Sequence, residues 1–587
     1  MKRHSCYLHV VLTGALVCAS LGMAVQTPAW AQTGIQFTAQ EPASETKTLA
    51  VVAVNSYDEL VADIGFSGSL ADRPETGQMV DGMIALFTQG KGLAGVDKSK
   101  PWGVVVQTDG AQILPIGCLP VTSLDELVSL GQPFGVQVEE NSEGIKVISL
   151  PNQQTIYAKA KGGWAFLSIT PDALASAPSN PSALLSKLIA DYDFAARISM
   201  TNAPEMYKQQ AITAMQAGLK QGLEQQSGED DAAFEARKQV AEAQMEQIVQ
   251  MIDEMDEVTV GWALDSEQQR AYADFVYTFL PDSKMAKQMN SYGQPQTNFA
   301  GFYQSSAAVS MSFASKTDPS LIQADIEQIR AGMQTMRQQV MKALDEETEF
   351  PDDASRDAVK EAMGDFIDAL ESTIASGQMD GGASLQLEPE KLTIVAGMLV
   401  KDPSKIESAL KKLAAAAEKD PEFPGVQWNA ATHGDVNFHT LEVPMPANKG
   451  DVKPNVRKLL GDKVNVAIGI GPEAIYVAAG KDYLEVVNQA IDASKADPNK
   501  SVPPFEVSAS LGPIMATFAA NEENAKQRQL AQSIADMLQG EAQGRDHIRM
   551  VGQFIPNGLR YRVEAEEGVL RAIGKAAAEA QEQAQQP

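Results

Sequence analysis

Short runs in which apolar and polar residues alternate recur along the chain. They are separated by turn residues and by stretches whose apolar positions fall three and four apart. The first pattern predicts half-buried strands and the second amphipathic helices. "WGVVVQTDGAQILPIGCLPVTSLDEL" (102–127) reads as strand, acidic turn, strand and helix, and "GASLQLEPEKLTIVAGMLVKDPSKIESAL" (382–410) reads the same way. "GVQVEENSEGIKVISLP" (135–151) returns as "GVQWNAATHGDVNFHTLEVP" (425–444), a hairpin in each half. "TIYAKAKGGWAFLSITPDAL" (155–174) is answered by "VNVAIGIGPEAIYVAAGKDYL" (464–484), and "FAARISMTNAPEM" (194–206) by "FEVSASLGPIMATF" (505–518). A closing hairpin at 258–285 pairs in the same way with 548–570, and "TLAVVAVNSYDELVADI" (48–64) with "AAVSMSFASKTDPSLIQADI" (307–326).

So many correspondences in one order predict a tandem duplication. The expected lobes span 47–290 and 296–580, joined at "NSYGQPQTN" (290–298), with residues 581–587 as a disordered tail. Ile322, Ile326, Ile329, Met333, Met336, Val340 and Leu344 form one apolar helical stripe, and Met245, Ile248, Ile252 and Met255 form another. A solvated turn at 224–238 breaks two helices and predicts a helical hairpin over 204–256. The expected class is α+β: two tandem, similar lobes, each a mainly antiparallel, hairpin-built sheet covered by helices.

Residues 1–31 carry a different signal. Lys2 and Arg3 precede the apolar run Val10–Val25, and Ala29-Trp30-Ala31 meets the small-x-small rule, which predicts cleavage before Gln32 and export to the periplasm or beyond. No later apolar run approaches the roughly 20 residues that span a bilayer. Loss of Lys2 and Arg3 leaves 45 basic residues against 76 acidic ones, a net charge near −31. Such a chain repels nucleic acid and anionic headgroups. Cys6 and Cys18 leave with the signal, so Cys118 has no partner for an internal disulfide, and its setting "PIGCLP" predicts burial. Aligning Gly117 with Gly397 sets Cys118 opposite Met398.

The candidate chemistry is sparse. In "THGDVNFH", His433, Asp435, Asn437 and His439 lie two apart and would share one face of a continuous strand. At about 3.3 Å per residue, His433 and His439 would stand roughly 20 Å apart, too far to share a metal. Because "NSEG" (141–144) occupies the matching place in the first half, the stretch reads as a polar turn with an outward strand face. His547 and Asp546 form half of an acid–base pair with no nucleophile motif beside them. Glu229, Asp230 and Asp231 lack the bent, alternating oxygens of a calcium loop. The 23 methionines read first as core residues and second as the lining of a pocket for an apolar ligand. No catalytic, cofactor-binding or metal-ligating residue is assigned, and no cofactor is expected.

"VVAVNSYDELVADIGFSGSL" (51–70), "GLAGVDKSKPWGVVV" (92–106) and the strand–helix order that follows resemble uncharacterised exported proteins of planctomycete-type bacteria. The resemblance covers most of the mature chain. It implies export and a repeated α+β build, and it transfers no functional residue. The expected function is a non-catalytic exported envelope or periplasmic protein that binds a ligand or partner, or serves as a scaffold. An apolar small molecule is one cargo for it. The alternatives are an extracytoplasmic hydrolase using Asp and Glu carboxylates, which leaves no linear signature, and an interaction module that uses 204–256 as its arm.

Overall fold

The computed structural model describes residues 46–225, 231–317, 323–346, 350, 352–419, 423–445, 454–540 and 542–585. The expected signal peptide, Glu229 and Asp230 lie outside these residues. The chain divides into two compact units. The first comprises the described residues to Met215 with Met255–Tyr277, and the second Gln216–Glu254 with Thr278 onward. The division between these units falls within the expected helical arm and again at 277/278.

In the first unit the strands are β1 (Lys47–Val54), β2 (Trp102–Thr108), β3 (Ile113–Pro120), β4 (Gln137–Glu140), β5 (Lys146–Ser149), β6 (Thr155–Lys161), β7 (Trp164–Ser168), β8 (Phe194–Ser199), β9 (Met255–Asp265) and β10 (Arg270–Phe279). Their hydrogen-bonded order is β4-β5-β6-β7-β3-β2-β1-β8-β9-β10. Burial alternates along β1 and β3, and with Val105 and Ala195, their neighbours by register, Val51, Ala53, Ile116 and Cys118 form one buried face. Helix Pro181–Ile189 closes that face with Leu185 and Leu188. Its start is set by Pro181 in the first turn and by the Asn180 side chain, which accepts from the Ala183 N–H at 3.1 Å. Burying a leucine such as Leu185 contributes about 1.5–3 kcal/mol. The other face of β8 and β9 leaves Phe194, Ile198, Val260 and Trp262 substantially exposed.

The second unit adds the two-residue β11 (Gln296–Thr297), then β12 (Val309–Lys316), β13 (Gln378–Glu388), β14 (Lys391–Leu399), β15 (Gln427–His433), β16 (Val436–Pro444), β17 (Lys463–Ile470) and β18 (Ala474–Gly480). It ends with the two-residue β19 (Lys500–Ser501), β20 (Phe505–Ser510), β21 (His547–Ile555) and β22 (Gly558–Glu566). β11 pairs with β19. The main order is β15-β16-β17-β18-β14-β13-β12-β20-β21-β22, antiparallel throughout. Place for place it corresponds to the order in the first unit. Helix Tyr483–Ala496 follows β18 as Pro181–Ile189 follows β7, and it buries Val486, Val487, Ala490 and Ile491 against Val395, Phe438, Ala467 and Ala478.

Two expectations need correction. Cys118 is 1% exposed in the core of the first unit, as "PIGCLP" suggests, but Met398 is 44% exposed on the opposite sheet face of its own unit. The alignment of Gly117 with Gly397 is one residue out of register, and a one-residue slip exchanges the faces of a strand. The final helix, Glu567–Gln585, also runs five residues into the stretch expected as tail. The stripe at 322–344 faces inward where it is described, with Ile326 and Met333 buried in helix Gln323–Glu346.

A candidate ligand cleft in the second unit

After β14 the chain turns at Asp402 and enters helix Pro403–Ala417, with proline in its first turn and the Ser404 hydroxyl donating to Asp402. Leu410, Leu413, Ala414 and Ala417 recur at helical spacing and make one apolar face. Lys405 and Lys412 pair with Asp368 and Asp365 on the neighbouring helix Asp353–Ala375, each at 2.8 Å, which fixes the helix over the sheet.

Beneath it lie β15, β16 and β17. His439 is registered opposite Ile468, so His439, Leu441 and Ile468 share one face. Trp428 joins them through a break in the β15–β16 ladder between Gln427 and Ala431, where Asn429 adopts φ +52. Asparagine tolerates that left-handed geometry better than most residues, and a bulge of this kind re-aims the side chains beside it. The result is a half-open cavity of about 200 Å³. Helix residues Leu410, Leu413, Ala414 and Ala417 wall one side. Phe423 and Val426 close an end, and Trp428, His439, Leu441 and Ile468 form the floor. No methionine lines it, so the pocket role considered for the methionines does not apply here.

His439 is the polar exception. Its side chain is 2% exposed. Nδ1 accepts from the Asn429 backbone N–H at 3.0 Å, and the ring meets Trp428 edge-on with centroids 4.9 Å apart. A nitrogen that accepts carries no proton, so the neutral ring has its hydrogen on Nε2. That Nε2 is buried without a hydrogen-bond partner, and the nearest carboxylate oxygen, Glu407 Oε1, stands 3.7 Å away, beyond bonding range. Glu407 in turn accepts from Lys411 at 2.7 Å, and the Lys411 ammonium sits 5.8 Å from the Trp428 ring centre. Burial holds the imidazole below its ordinary pKa; Glu407 pulls it back up and Lys411 adds to the depression.

The polar row at the end of the hairpin is therefore divided. His433 ends β15 opposite Val436, and the chain reverses through Gly434 (φ +60) and Asp435, a two-residue turn with glycine first. Period two does not continue across such a reversal, so the four residues never share a face. His433 and Asp435 bind helix Tyr483–Ala496 through Asp492 and Lys495, at 2.7 and 2.8 Å. Asn437 is exposed. His439 is buried, which corrects the outward face expected for it: β16 has a helix on each side, Tyr483–Ala496 over Phe438 and Pro403–Ala417 over His439.

The remaining candidates are occupied structurally. His547 Nδ1 meets Glu566 Oε2 at 3.0 Å and Nε2 meets the Ser305 carbonyl at 3.0 Å. The Glu566 bond raises the His547 pKa, and both nitrogens act as donors in the imidazolium form. Asp546 accepts from Ser510 Oγ at 2.7 Å and from the Gly512 N–H at 2.6 Å, so it caps helix Leu511–Asn521. In the first unit, burial together with the charges of Asp193 and Glu59 lifts Asp63 to about 7. Asp193 is itself committed, to Asn55 at 3.0 Å and to the Leu264 N–H at 2.7 Å. Among the described residues no three His, Cys, Asp or Glu side chains gather as a metal-ligand set, and no helix is long and apolar enough to cross a membrane.

The cleft marks a departure between the units. The first has the six-residue helix Leu124–Ser129 and a four-residue β4 where the second has fifteen residues and seven. There Val121, Leu124, Ile148, Ala158 and Ala165 pack with Leu127, Val136 and Val138 into one cluster. The sequence carries a trace of this in the longer second hairpin and in the apolar stripe of "ESALKKLAAAA", but the unpartnered nitrogen is visible only in three dimensions. Comparison with known proteins finds no matching family model, no matching curated protein and no matching solved structure.

Proposed function

We propose that the protein is an exported, non-catalytic binding protein of the periplasm or envelope, built as two tandem copies of one lobe, whose second lobe carries a small, largely apolar molecule. The observation that carries this reading is the cavity under helix Pro403–Ala417, apolar except for one buried imidazole with a free donor. Apolar walls with a single placed polar group are the composition of ligand pockets. At about 200 Å³ it is somewhat larger than the roughly 150 Å³ apolar cavity that holds a benzene molecule, so it suits a ring or the end of an alkyl chain. Correspondence of strand order supports duplication, and the N-terminal pattern, cleaved before Gln32, supports export. The commitment of His547, Asp546 and Asp193 to structural bonds weighs against catalysis.

Thermal unfolding in the presence of benzene, cyclohexane and octyl-chain compounds tests the reading. A ligand that binds only the folded state raises Tm with concentration. At least one compound of this size is expected to do so and to shift the Trp428 emission, measured against a Trp428→Phe control. A set in which none does either overturns the carrier reading.

A further inference from the structure

Resting on the carrier reading, the identity of the polar group on the ligand follows from His439 on the floor of the cleft and from Glu407 beside it on the covering helix. His439 Nε2 presents a hydrogen and has no acceptor, because Nδ1 is held as an acceptor by Asn429. Glu407 Oε1 stands 3.7 Å from that nitrogen. This gap is too wide for a direct hydrogen bond, and an oxygen atom at ordinary hydrogen-bond distance from both would bridge it. To satisfy both groups, such an oxygen must accept from the imidazole and donate to the carboxylate. An ether or ketone oxygen only accepts. A ligand carboxylate only accepts when ionised, and it would bring a second negative charge against Glu407. A hydroxyl does both.

We infer that the cleft takes an alcohol: an apolar ring or chain packed among Leu413, Trp428 and Ile468, with one hydroxyl bridging His439 Nε2 and Glu407. The Lys411 ammonium donates to Glu407 at 2.7 Å and directs that carboxylate. The hydroxyl's second bond is to this carboxylate, an acceptor of the stronger kind. Glu407 and His439 are positioning and recognition groups; no covalent step is involved.

Calorimetric titration of the mature full-length protein with 1-octanol, octyl methyl ether and sodium octanoate tests this. The expected order is 1-octanol tightest, the ether tenfold or more weaker, and octanoate weakest, since a hydrogen bond to a charged group accounts for about that ratio. Glu407→Ala is a partly exposed substitution with little risk to folding, and it is expected to bring octanol and ether to within about twofold of each other. His439→Phe keeps the shape of the floor and is expected to weaken octanol more than the ether. If octanol and ether bind wild type equally well, the cavity stands and the hydroxyl bridge fails, with water in the gap as the remaining occupant. Octanoate binding tightest would make this an acid site and overturn the inference. If the Glu407→Ala protein keeps the full preference for octanol, the inference also fails. Binding of none of the three overturns the carrier reading itself.

Discussion

A backbone neighbour, burial and two charged side chains set the state of His439. The Asn429 N–H fixes its tautomer, and its burial disfavours the charged ring. Glu407 and Lys411 are the charged groups facing it, and they act in opposite directions. Since the folded state holds this imidazole below its unfolded value of about 6.5, the unfolded chain binds more protons as the pH drops through that region. Stability from this residue is complete above pH 6.5 and is lost as the pH falls towards the folded pKa. Imidazole resonances followed by NMR are expected to titrate His439 below 6.5 and His547, held up by Glu566, above it. His439→Phe is expected to flatten the acid-side fall in Tm. A wild-type His439 that titrates at or above 6.5 would contradict this picture. Little of it is legible from the residue's neighbours in sequence. "THGDVNFH" shows two histidines on alternate positions, but the turn at Gly434 that separates them and the helix that covers the second are tertiary facts. Cys118 is the opposite case, since apolar neighbours on both sides leave only burial.

At the level of elements, hairpins and their order are legible because every strand has one face on a core, and that requirement writes period two into the sequence. What escapes is the fine register. The Cys118–Met398 alignment slips by one residue because glycines carry no side chain to mark their face, and the bulge at Asn429 breaks the period it interrupts. Glycine in these strands has a packing role. A Cβ on Gly397 would lie 2.9 Å from the rings of both Phe299 and Phe302. Those rings stand 6.1 Å apart by centroid, and Phe302 stacks on Tyr476 at 5.7 Å, so neither can retreat freely. Gly397→Ala is expected to destabilise the second unit by about 1–3 kcal/mol, the ordinary cost of overpacking. Denaturant unfolding measures it, and a loss below 0.3 kcal/mol, roughly the limit of such a measurement, would show that the aromatic cluster is looser than these distances imply.

Across the whole molecule, the proposed duplication gives the cleft its meaning. At the cleft, two units with one strand order differ in that the second has a longer helix after β14 and a longer strand before β16. In the first unit Leu124, Ile148 and their neighbours pack into a cluster at the corresponding place. On the proposed duplication, one unit keeps a packed cluster where the other has a cleft, which is the asymmetry expected when one half of a repeat acquires a function. The sequence predicts the repeat and carries the extra length, but not the cavity, because an empty volume is a property of how side chains meet. Native mass spectrometry of the protein, purified without detergent from the cells that make it, tests the central claim most directly when wild type is compared with Ala414→Phe, which fills the cleft from its helix wall. The account predicts a wild-type mass in excess of the chain that denaturation releases, and its loss in a folded Ala414→Phe protein. A bare wild-type chain, or the same excess mass on both proteins, would contradict it.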